Sequence, residues 1–190
     1  MARCSTGTSL APSVRDLDEA FNPSKYGEIS ERPLVEATIP SLIDPDLVDE
    51  RARSAGVQHV LSAIVQWAPY RLATGTWDDR REELGKRVVA TLETYAPGIG
   101  DLVVGRQVVT PLDLERDYGL TGGHPLHGEP GLDQLFAWRP LLGHARYRMP
   151  LAGLYLAGSG AHPGGGITGA PAENAVREIL ADRRRGAIPR

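Results

Sequence analysis

The sequence predicts a mixed structure of helices and strands, α+β in its first part and α/β in its last. Two observations lead to this prediction. Over residues 33–120 the hydrophobic pattern indicates two strands, a helix, a third strand and a second helix, in that order. Over residues 151–185 an apolar run is followed by a glycine-dense loop and an amphipathic helix. We therefore expect a mixed sheet with helices over residues 33–120 and a strand–loop–helix unit over residues 151–185, connected by an irregular segment over residues 121–150.

The composition excludes several classes of protein. With 190 residues, 41% of them hydrophobic, the chain is long enough to form a core. A net charge of -3 gives no electrostatic reason to expect a nucleic-acid partner. The single cysteine, Cys4, excludes an internal disulfide and fits a reducing compartment. Because the sequence has neither a membrane-spanning apolar run nor the apolar core of a secretion signal, we expect a cytoplasmic chain whose contact with membranes is at most peripheral.

The first part of the chain contains the clearest strand patterns. Residues 1–32 are polar and rich in turn residues, so we expect a poorly ordered lead-in with one short helix near Val14 to Phe21. Leu34 to Ile39 alternates as a half-buried strand does. Val57 to Gln66 has apolar residues on both faces, and we expect it to pair antiparallel with the first strand.

Capping residues delimit the two helices that follow. Asp78 or Asp79 is expected to cap a helix that Pro97-Gly98 ends. Its predicted apolar stripe is Leu84, Val88, Leu92 and Tyr95. Leu102 to Val109 is predicted as a third strand. The pair Thr110-Pro111, with an acid three residues after the threonine, predicts a helix that ends at Gly119.

The segment after residue 150 is the most informative part of the sequence. Leu151 to Gly158 is predicted as a strand that is buried on both faces. From Ile167 onward the sequence predicts a helix, whose apolar face comprises Ala172, Ala175, Val176, Ile179 and Leu180. Between them the glycines leave the backbone open to a ligand, and the first amides of the helix favour an anion or an electron-rich oxygen. The alternative interpretation is a tight strand-to-helix turn that binds no ligand.

A G-x-G-x-x-G match at Gly164, Gly166 and Gly169 does not indicate a complete dinucleotide-binding fold. In that fingerprint the first glycine follows its strand almost directly, whereas here SGAHP intervenes. The sequence GLYLAGSGAHPGGGITGAP resembles instead the C-terminal flavin-contacting motif of the FAD-dependent phytoene desaturase-like oxidoreductases, and within them the branch called pyridine nucleotide-disulphide oxidoreductase domain-containing protein 2. Further similar segments bring the resemblance to roughly residues 17–181. They are SERPLVEATIPSLIDPDL, VQWAPYRL, TPLDLERDYGLTGGHPLHGE and LDQLFAWRP.

The resemblance implies a partial two-domain flavoprotein. Family members are longer and carry an N-terminal G-x-G-x-x-G unit, so we expect this chain to be a C-terminal portion, either a fragment or one subunit of a split protein. Residues 33–120 then form the substrate-side domain, and residues 151–185 form the last strand, loop and helix of a Rossmann-like FAD-binding domain. The implied cofactor is FAD. The implied cofactor-binding residues are Gly158, Ser159, His162, Pro163, Gly164, Gly165, Gly166, Ile167 and Thr168.

Other residues are weaker candidates for a functional role. Trp67, Tyr70 and Arg139 are candidates for contact with substrate, although aromatic residues beside strands usually pack in a core and an arginine is often in a surface ion pair. His162 has either a structural role or a role in proton transfer. The pair His124 and His127 has too few ligand types nearby for a metal site, so we expect none.

No residue is assigned a catalytic role from the sequence, because no Ser-His-Asp arrangement, carboxylate pair or reactive cysteine is present. A flavin enzyme needs none of these. The resemblance implies an FAD-dependent oxidoreductase that takes hydride from a small apolar substrate, such as a polyene or lipid-like molecule. The alternative is a non-catalytic chain or subunit that binds an N-terminal flavin-domain partner. A module that binds a small phosphate ligand is a third possibility.

Overall fold

The computed structural model describes residues 8–11, 13–128 and 131–188, and in them the chain is an α+β structure. The described chain divides into two compact units, Met1–Leu112 and Asp113–Arg190. Residues 1–7 of the expected lead-in, and with them Cys4, lie outside the described ranges. Short 3-10 turns occur at Asn22–Tyr26, Pro40–Leu42, Pro45–Leu47, Gly100–Leu102, Thr121–Gly123, Leu132–Gln134 and Phe136–Trp138.

The first unit contains a small antiparallel sheet. Its strands are β1 (Thr8–Ser9), β2 (Val35–Thr38) and β3 (Ser62–Val65), in the order β1-β2-β3. Val35 lies opposite Val65 in the register of β2 and β3. The predicted antiparallel pairing is therefore confirmed, although each strand is shorter than its hydrophobic pattern suggested.

Four helices form between residues 14 and 118. They are α1 (Val14–Phe21), α2 (Glu50–Ser54), α3 (Trp77–Tyr95) and α4 (Pro111–Tyr118). The prediction that Asp78 or Asp79 caps α3 is wrong, because Thr76 is the cap. The Thr76 hydroxyl accepts a hydrogen bond from the Asp79 amide at 3.3 Å and donates one to the Asp79 carboxylate at 2.7 Å. This reciprocal arrangement satisfies one of the free amides at the helix start.

The core of the first unit forms around α3. Its buried members are Ile29, Trp77 and Leu84. Partly buried apolar residues surround them: Val65, Ala68, Leu72, Val88, Val108 and Leu112. The Trp77 indole donates to the Pro69 carbonyl oxygen at 3.0 Å, so its polar atom is satisfied inside the core.

The predicted strand at Leu102 to Val109 is wrong. Residues 103–110 have no strand assignment, and Leu102 and Val104 are about three-quarters exposed. A strand is stable only when its backbone groups pair with a neighbour, and within the described residues no strand pairs with this segment. Apolar composition alone therefore did not produce a strand here.

The predicted strand at Leu151 to Gly158 is also wrong. The segment contributes one isolated bridge, between Arg148 and Tyr155. It folds back on the residues before it, since the Met149 amide donates to the Leu154 carbonyl oxygen at 3.0 Å and the Leu156 amide to that of Tyr147 at 2.9 Å. A strand buried on both faces requires neighbours on each side, which the described residues do not supply.

The last helix, α5 (Ala170–Arg185), begins three residues later than predicted. Ile167 and Thr168 therefore precede the helix, and Gly169, with a φ of 73°, is its N-cap. The prediction of its buried face is partly wrong. Ala175 is buried, but Val176 and Leu180 are about half exposed. No helix of the described ranges combines the length and the apolarity needed to cross a bilayer.

Candidate functional site

The loop that leads into α5, residues 158–169, has an unusual backbone. We call it the glycine loop. Gly164, Gly165 and Gly166 have consecutive φ values of 75°, 57° and 60°. Residues with side chains rarely adopt this left-handed conformation, so the sequence of three glycines is required by the shape of the turn. A Cβ atom on Gly165 would meet nothing within 4 Å, so the backbone there faces open space.

The far end of the glycine loop is exposed. Gly166, Ile167 and Thr168 are all exposed, and the Ile167 side chain has no protein cover. The Thr168 hydroxyl accepts a hydrogen bond from the Ala170 amide at 3.3 Å. The far end of the loop is therefore not covered by protein, so a ligand could approach its backbone there.

The start of α5 contributes less to anion binding than the sequence suggested. Pro171 has no amide hydrogen, and the Glu173 amide is already bonded to the Gly169 carbonyl oxygen at 3.0 Å. Glu173 also places a carboxylate in the first turn, where it occupies the positive end of the helix dipole. The amides of the glycine loop are therefore better candidates for ligand contact than those of the helix.

Arg139 holds the beginning of the glycine loop. Its side chain is almost completely buried, and its Nε and Nη2 atoms donate to the Ser159 carbonyl oxygen at 3.1 and 2.9 Å. Nη2 also donates to the Leu126 carbonyl oxygen at 2.7 Å. The surface ion pair that was the simple alternative for Arg139 is therefore wrong, whereas its contact with substrate stays a prediction.

Tyr147 holds the middle of the same loop. Its ring is buried with Ala161 and Ala175, and its hydroxyl donates to the His162 carbonyl oxygen at 2.8 Å. The same hydroxyl accepts a hydrogen bond from the Asn174 side chain of α5 at 2.8 Å. His162 is thus placed through its backbone, while its ring lies 6.2 Å from that of Phe136.

A cluster of charges fixes the other end of α5, and the sequence reasoning missed it. Arg148 donates from Nε and Nη2 to the two oxygens of Asp182, at 2.7 and 2.8 Å. The Tyr155 hydroxyl donates to Asp182 at 2.7 Å. Arg148 also pairs with Glu178. One signal was available in the sequence, because Glu178 and Asp182 are four residues apart and share a face of the helix.

These contacts shift the acidity of the groups concerned. Hydrogen bonds from Arg148 and then from Tyr155 lower the pKa of Asp182 to about 2. Burial tends to raise the pKa of Glu178, but hydrogen bonds from Arg146 and Arg148 outweigh it and lower that pKa. The hydrogen bond to Asp182 raises the pKa of the Tyr155 hydroxyl. At neutral pH the Asp182 and Glu178 carboxylates and the Arg148 guanidinium are therefore charged, whereas the Tyr155 hydroxyl keeps its proton.

The predicted substrate residues lie in different units. Trp67 and Tyr70 belong to the first unit and Arg139 to the second. Trp67 is about one-third exposed and packs against Phe21, with ring centroids 5.4 Å apart. Tyr70 is half-buried. Their contact with substrate stays a prediction.

The two histidines of the H-x-x-H pair make local contacts. The Leu126 amide donates to Nδ1 of His124 at 3.2 Å, and the His127 amide donates to the His124 carbonyl oxygen at 3.1 Å. Glu129, the third candidate ligand, lies outside the described residues. Within the described ranges no three histidine, cysteine or acidic side chains are grouped as metal ligands.

Two cavities of the described structure lie away from the glycine loop. Both lie in the first unit, one beside Arg32 and Tyr95 and the other beside Arg80 and Arg87. Neither has a residue of the glycine loop in its lining. The glycine loop is thus an open surface in this structure, and a ligand there needs further protein to enclose it.

Comparison with known proteins identifies relatives of this chain. The chain is homologous to a segment of larger oxidoreductases. It is 45% identical over 168 residues, 87% of the chain, to pyridine nucleotide-disulfide oxidoreductase domain-containing protein 2 of Rattus norvegicus, and 42% identical over the same share to that of Mus musculus. It is 31% identical over 84% of its length to a lycopene-forming phytoene desaturase of Pantoea ananas. The resemblance that the sequence motifs indicated is therefore confirmed.

The chain covers only part of each relative. It spans 28% of the length of the rat and mouse proteins and 30% of that of the phytoene desaturase. No protein-family model matches the chain, and no solved structure matches it with significance.

Proposed function

We propose that this chain is the C-terminal part of an FAD-dependent oxidoreductase and that the glycine loop lies against the cofactor. The observation that supports this most strongly is the left-handed run Gly164–Gly166, whose central glycine faces open space. The names of the homologous oxidoreductases support the same reading. In this proposal the glycine loop and α5 belong to a Rossmann-like FAD-binding domain whose remainder lies elsewhere.

The residues of the loop fit a flat, electron-rich ligand. Gly165 admits close approach, since no protein atom occupies the position of a Cβ, and accessible amides can donate to ligand oxygens. Ser159 can donate or accept a hydrogen bond but carries no charge. The bound FAD would supply the hydride acceptor, while residues of this chain bind it, orient it and keep water from one side.

The proposed reaction is hydride removal from a small apolar substrate, such as a polyene or lipid-like molecule. Phytoene appears in the name of one homologue. Trp67 and Tyr70 offer aromatic surface in the first unit, where Trp67 packs against Phe21 at a tilt of 59° and part of the indole stays exposed. Arg139 is the third proposed substrate-side residue. We place the protein in the cytoplasm, with peripheral contact to membranes as the route to an apolar substrate.

A second candidate function is supported by the surface of the second unit. Its apolar core is small, comprising Tyr147, Ala161 and Ala175 with Leu156 packed against them. Many large apolar side chains are at least about half exposed instead: Leu132, Phe136, Trp138, Leu141, Leu142, Leu151, Leu154, Ile167, Val176 and Leu180. Apolar side chains exposed in this number suit a surface that a protein partner covers. The alternative is therefore a non-catalytic chain or subunit that binds a partner carrying the N-terminal flavin domain.

A comparison of two glycine substitutions tests the cofactor proposal. Gly165→Val should abolish FAD binding by the full chain, measured with its N-terminal partner where binding needs one, because the valine side chain blocks approach to the loop. Gly153→Val is the matched control, since Gly153 also has a positive φ and open space but lies outside the loop. Both variants place a β-branched residue at a positive φ, 57° at Gly165 and 81° at Gly153. Visible absorbance of retained flavin is the measurement, and equal flavin content in the two variants would contradict the proposal.

The same preparation separates the two candidate functions. Flavin retained by the chain, or by its complex with the partner, together with substrate-dependent bleaching supports the oxidoreductase. A stable complex that never retains flavin supports the non-catalytic subunit.

A further inference from the structure

The glycine loop has few constraints of its own. Within residues 158–166 one backbone hydrogen bond of good geometry runs from the Ala161 amide to the Gly158 carbonyl oxygen, at 2.9 Å, and residues 162–163 and 166–167 form turns. Glycine loses more conformational entropy on ordering than any other residue, so a loop with this many glycines is costly to order. Contacts from residues outside the loop should therefore contribute to its order.

Arg139 supplies the first of these constraints, and it touches the loop at two places. The guanidinium donates two hydrogen bonds to the Ser159 carbonyl oxygen, and its Nε atom lies 3.3 Å from the position that a Cβ on Gly164 would take. The side chain thus lies against both the entry and the turn of the loop. Hydrogen bonds from a charged donor are stronger than those between neutral groups. The Arg139 guanidinium is therefore well suited to order the backbone of the loop.

Tyr147 supplies the second constraint and joins the loop to α5. Its hydroxyl is both donor, to the His162 carbonyl oxygen, and acceptor, from the Asn174 side chain. Its position is itself fixed, since the ring is buried and the Tyr147 carbonyl oxygen accepts from the Leu156 amide. The middle of the loop is therefore fixed relative to the helix by one relay of two hydrogen bonds.

The two constraints leave the open part of the loop unoccupied. They act on residues 159, 162 and 164, whereas Gly165 faces open space and Gly166, Ile167 and Thr168 are exposed. We propose that Arg139 and Tyr147 are positioning residues that set cofactor affinity without touching the cofactor, by ordering the glycine loop before the ligand binds. This inference rests on the proposed function for the identity of the ligand, but not for the ordering itself.

The ordering is tested on the full chain without any ligand. Nitrogen-15 relaxation gives the order parameters of the amides of Gly164, Gly165 and Gly166. In Tyr147→Phe and in Arg139→Gln we expect these values to fall from about 0.85 to below about 0.6, the range of flexible backbone. Exchange of the Ala161 amide should become on the order of 5- to 10-fold faster, the factor expected for one net hydrogen bond.

Tyr155→Phe is the matched control. It removes a hydroxyl that binds Asp182 in the same unit and does not reach the loop. Unchanged glycine order parameters in both loop variants would overturn the proposal, and so would an equal loss of order in Tyr155→Phe, which would indicate general loosening. Tyr147→Phe keeps the packed ring, so the test does not depend on Arg139→Gln remaining folded. Arg139→Lys, which keeps one charged donor, should restore part of the order.

A second measurement connects the ordering to the cofactor. In a titration with FAD, the dissociation constant should rise about 10- to 100-fold in Arg139→Gln and about 5- to 10-fold in Tyr147→Phe, and remain unchanged in Tyr155→Phe. A loosened loop with unchanged FAD affinity would overturn the positioning role. If the wild-type chain, with its partner, binds no FAD, the proposed function fails, and the relaxation data still decide whether the two residues order the loop.

Discussion

The side chains that the first unit shields from water are mostly apolar, whereas those that order the second unit carry charges or hydroxyl groups. Trp77 and Leu84 lie at the centre of the first unit, within a shell of other apolar residues. In the second unit the buried side chains include Arg139 and Asp182, the two charged residues that are buried in the described chain. Apolar packing is non-directional and involves no titrating group, but hydrogen bonds to buried charges depend on protonation and geometry. The two units should therefore fail under different conditions.

The largest effect is expected from removing the central side chain of the first unit. Trp77→Ala should lower the free energy of unfolding by about 3–5 kcal/mol, because it leaves a cavity and a carbonyl oxygen without its donor. Trp138→Ala is the control, since Trp138 is about half exposed in the second unit, and it should change stability by about 0.5 kcal/mol or less. Urea titration followed by far-ultraviolet circular dichroism measures both. Similar losses in the two variants would mean that the first unit does not depend on its core as described.

The sequence predicted helices better than strands. The helices α1, α3 and α4 were predicted near their true bounds because their start and stop signals, such as Pro111 and Gly119, are local. The strands at residues 102–109 and 151–158 were predicted wrongly because a strand requires a neighbour, and no pattern within a segment shows whether one is present.

The candidate site also has one feature that the sequence predicts and others that it does not. The positive φ values of Gly164 to Gly166 follow from the residue type and could be anticipated. The contacts that hold the loop could not, because Arg139 and Ser159 are 20 residues apart and Tyr147 and Asn174 are 27 apart. Such pairings are set by tertiary structure, and many alternative partners exist for any arginine or tyrosine in the sequence.

An intermediate effect is expected from acid, and it should be specific to the second unit's charge cluster. The pKa of Asp182 is about 2 in the folded chain, below its usual value of about 3.9. Because the folded pKa is lower than the unfolded one, the cluster contributes its stability above pH 4 and loses it as the pH falls from about 4 to 2. Asp182→Asn should remove this part of the pH dependence and lower the stability of the second unit at neutral pH.

Amide exchange of α5, measured at several pH values, follows this transition. The control is Glu93→Gln, because Glu93 lies in the first unit and hydrogen bonds from the amides of Gly98 and Gly100 lower its pKa as well. The Glu93 variant should change acid sensitivity in the first unit and leave α5 unaffected. An α5 that loosens identically in wild type and in Asp182→Asn between pH 4 and 2 would show that Arg148 and Tyr155 do not stabilise the helix through this carboxylate.

The smallest change in stability of the isolated chain is expected from a substitution on the exposed apolar face of α5. This substitution also tests whether that face binds a partner. Val176 is about half exposed, so Val176→Glu should change the stability of the chain by about 0.5 kcal/mol or less. If this face contacts a partner that carries the flavin domain, the same substitution buries an unpaired charge in the complex and should weaken association at least about 100-fold. Arg177→Glu, one residue further along and highly exposed, is the control for charge alone. Analytical ultracentrifugation with the co-expressed partner measures the difference, and equal weakening by both variants would place the interface elsewhere on the unit.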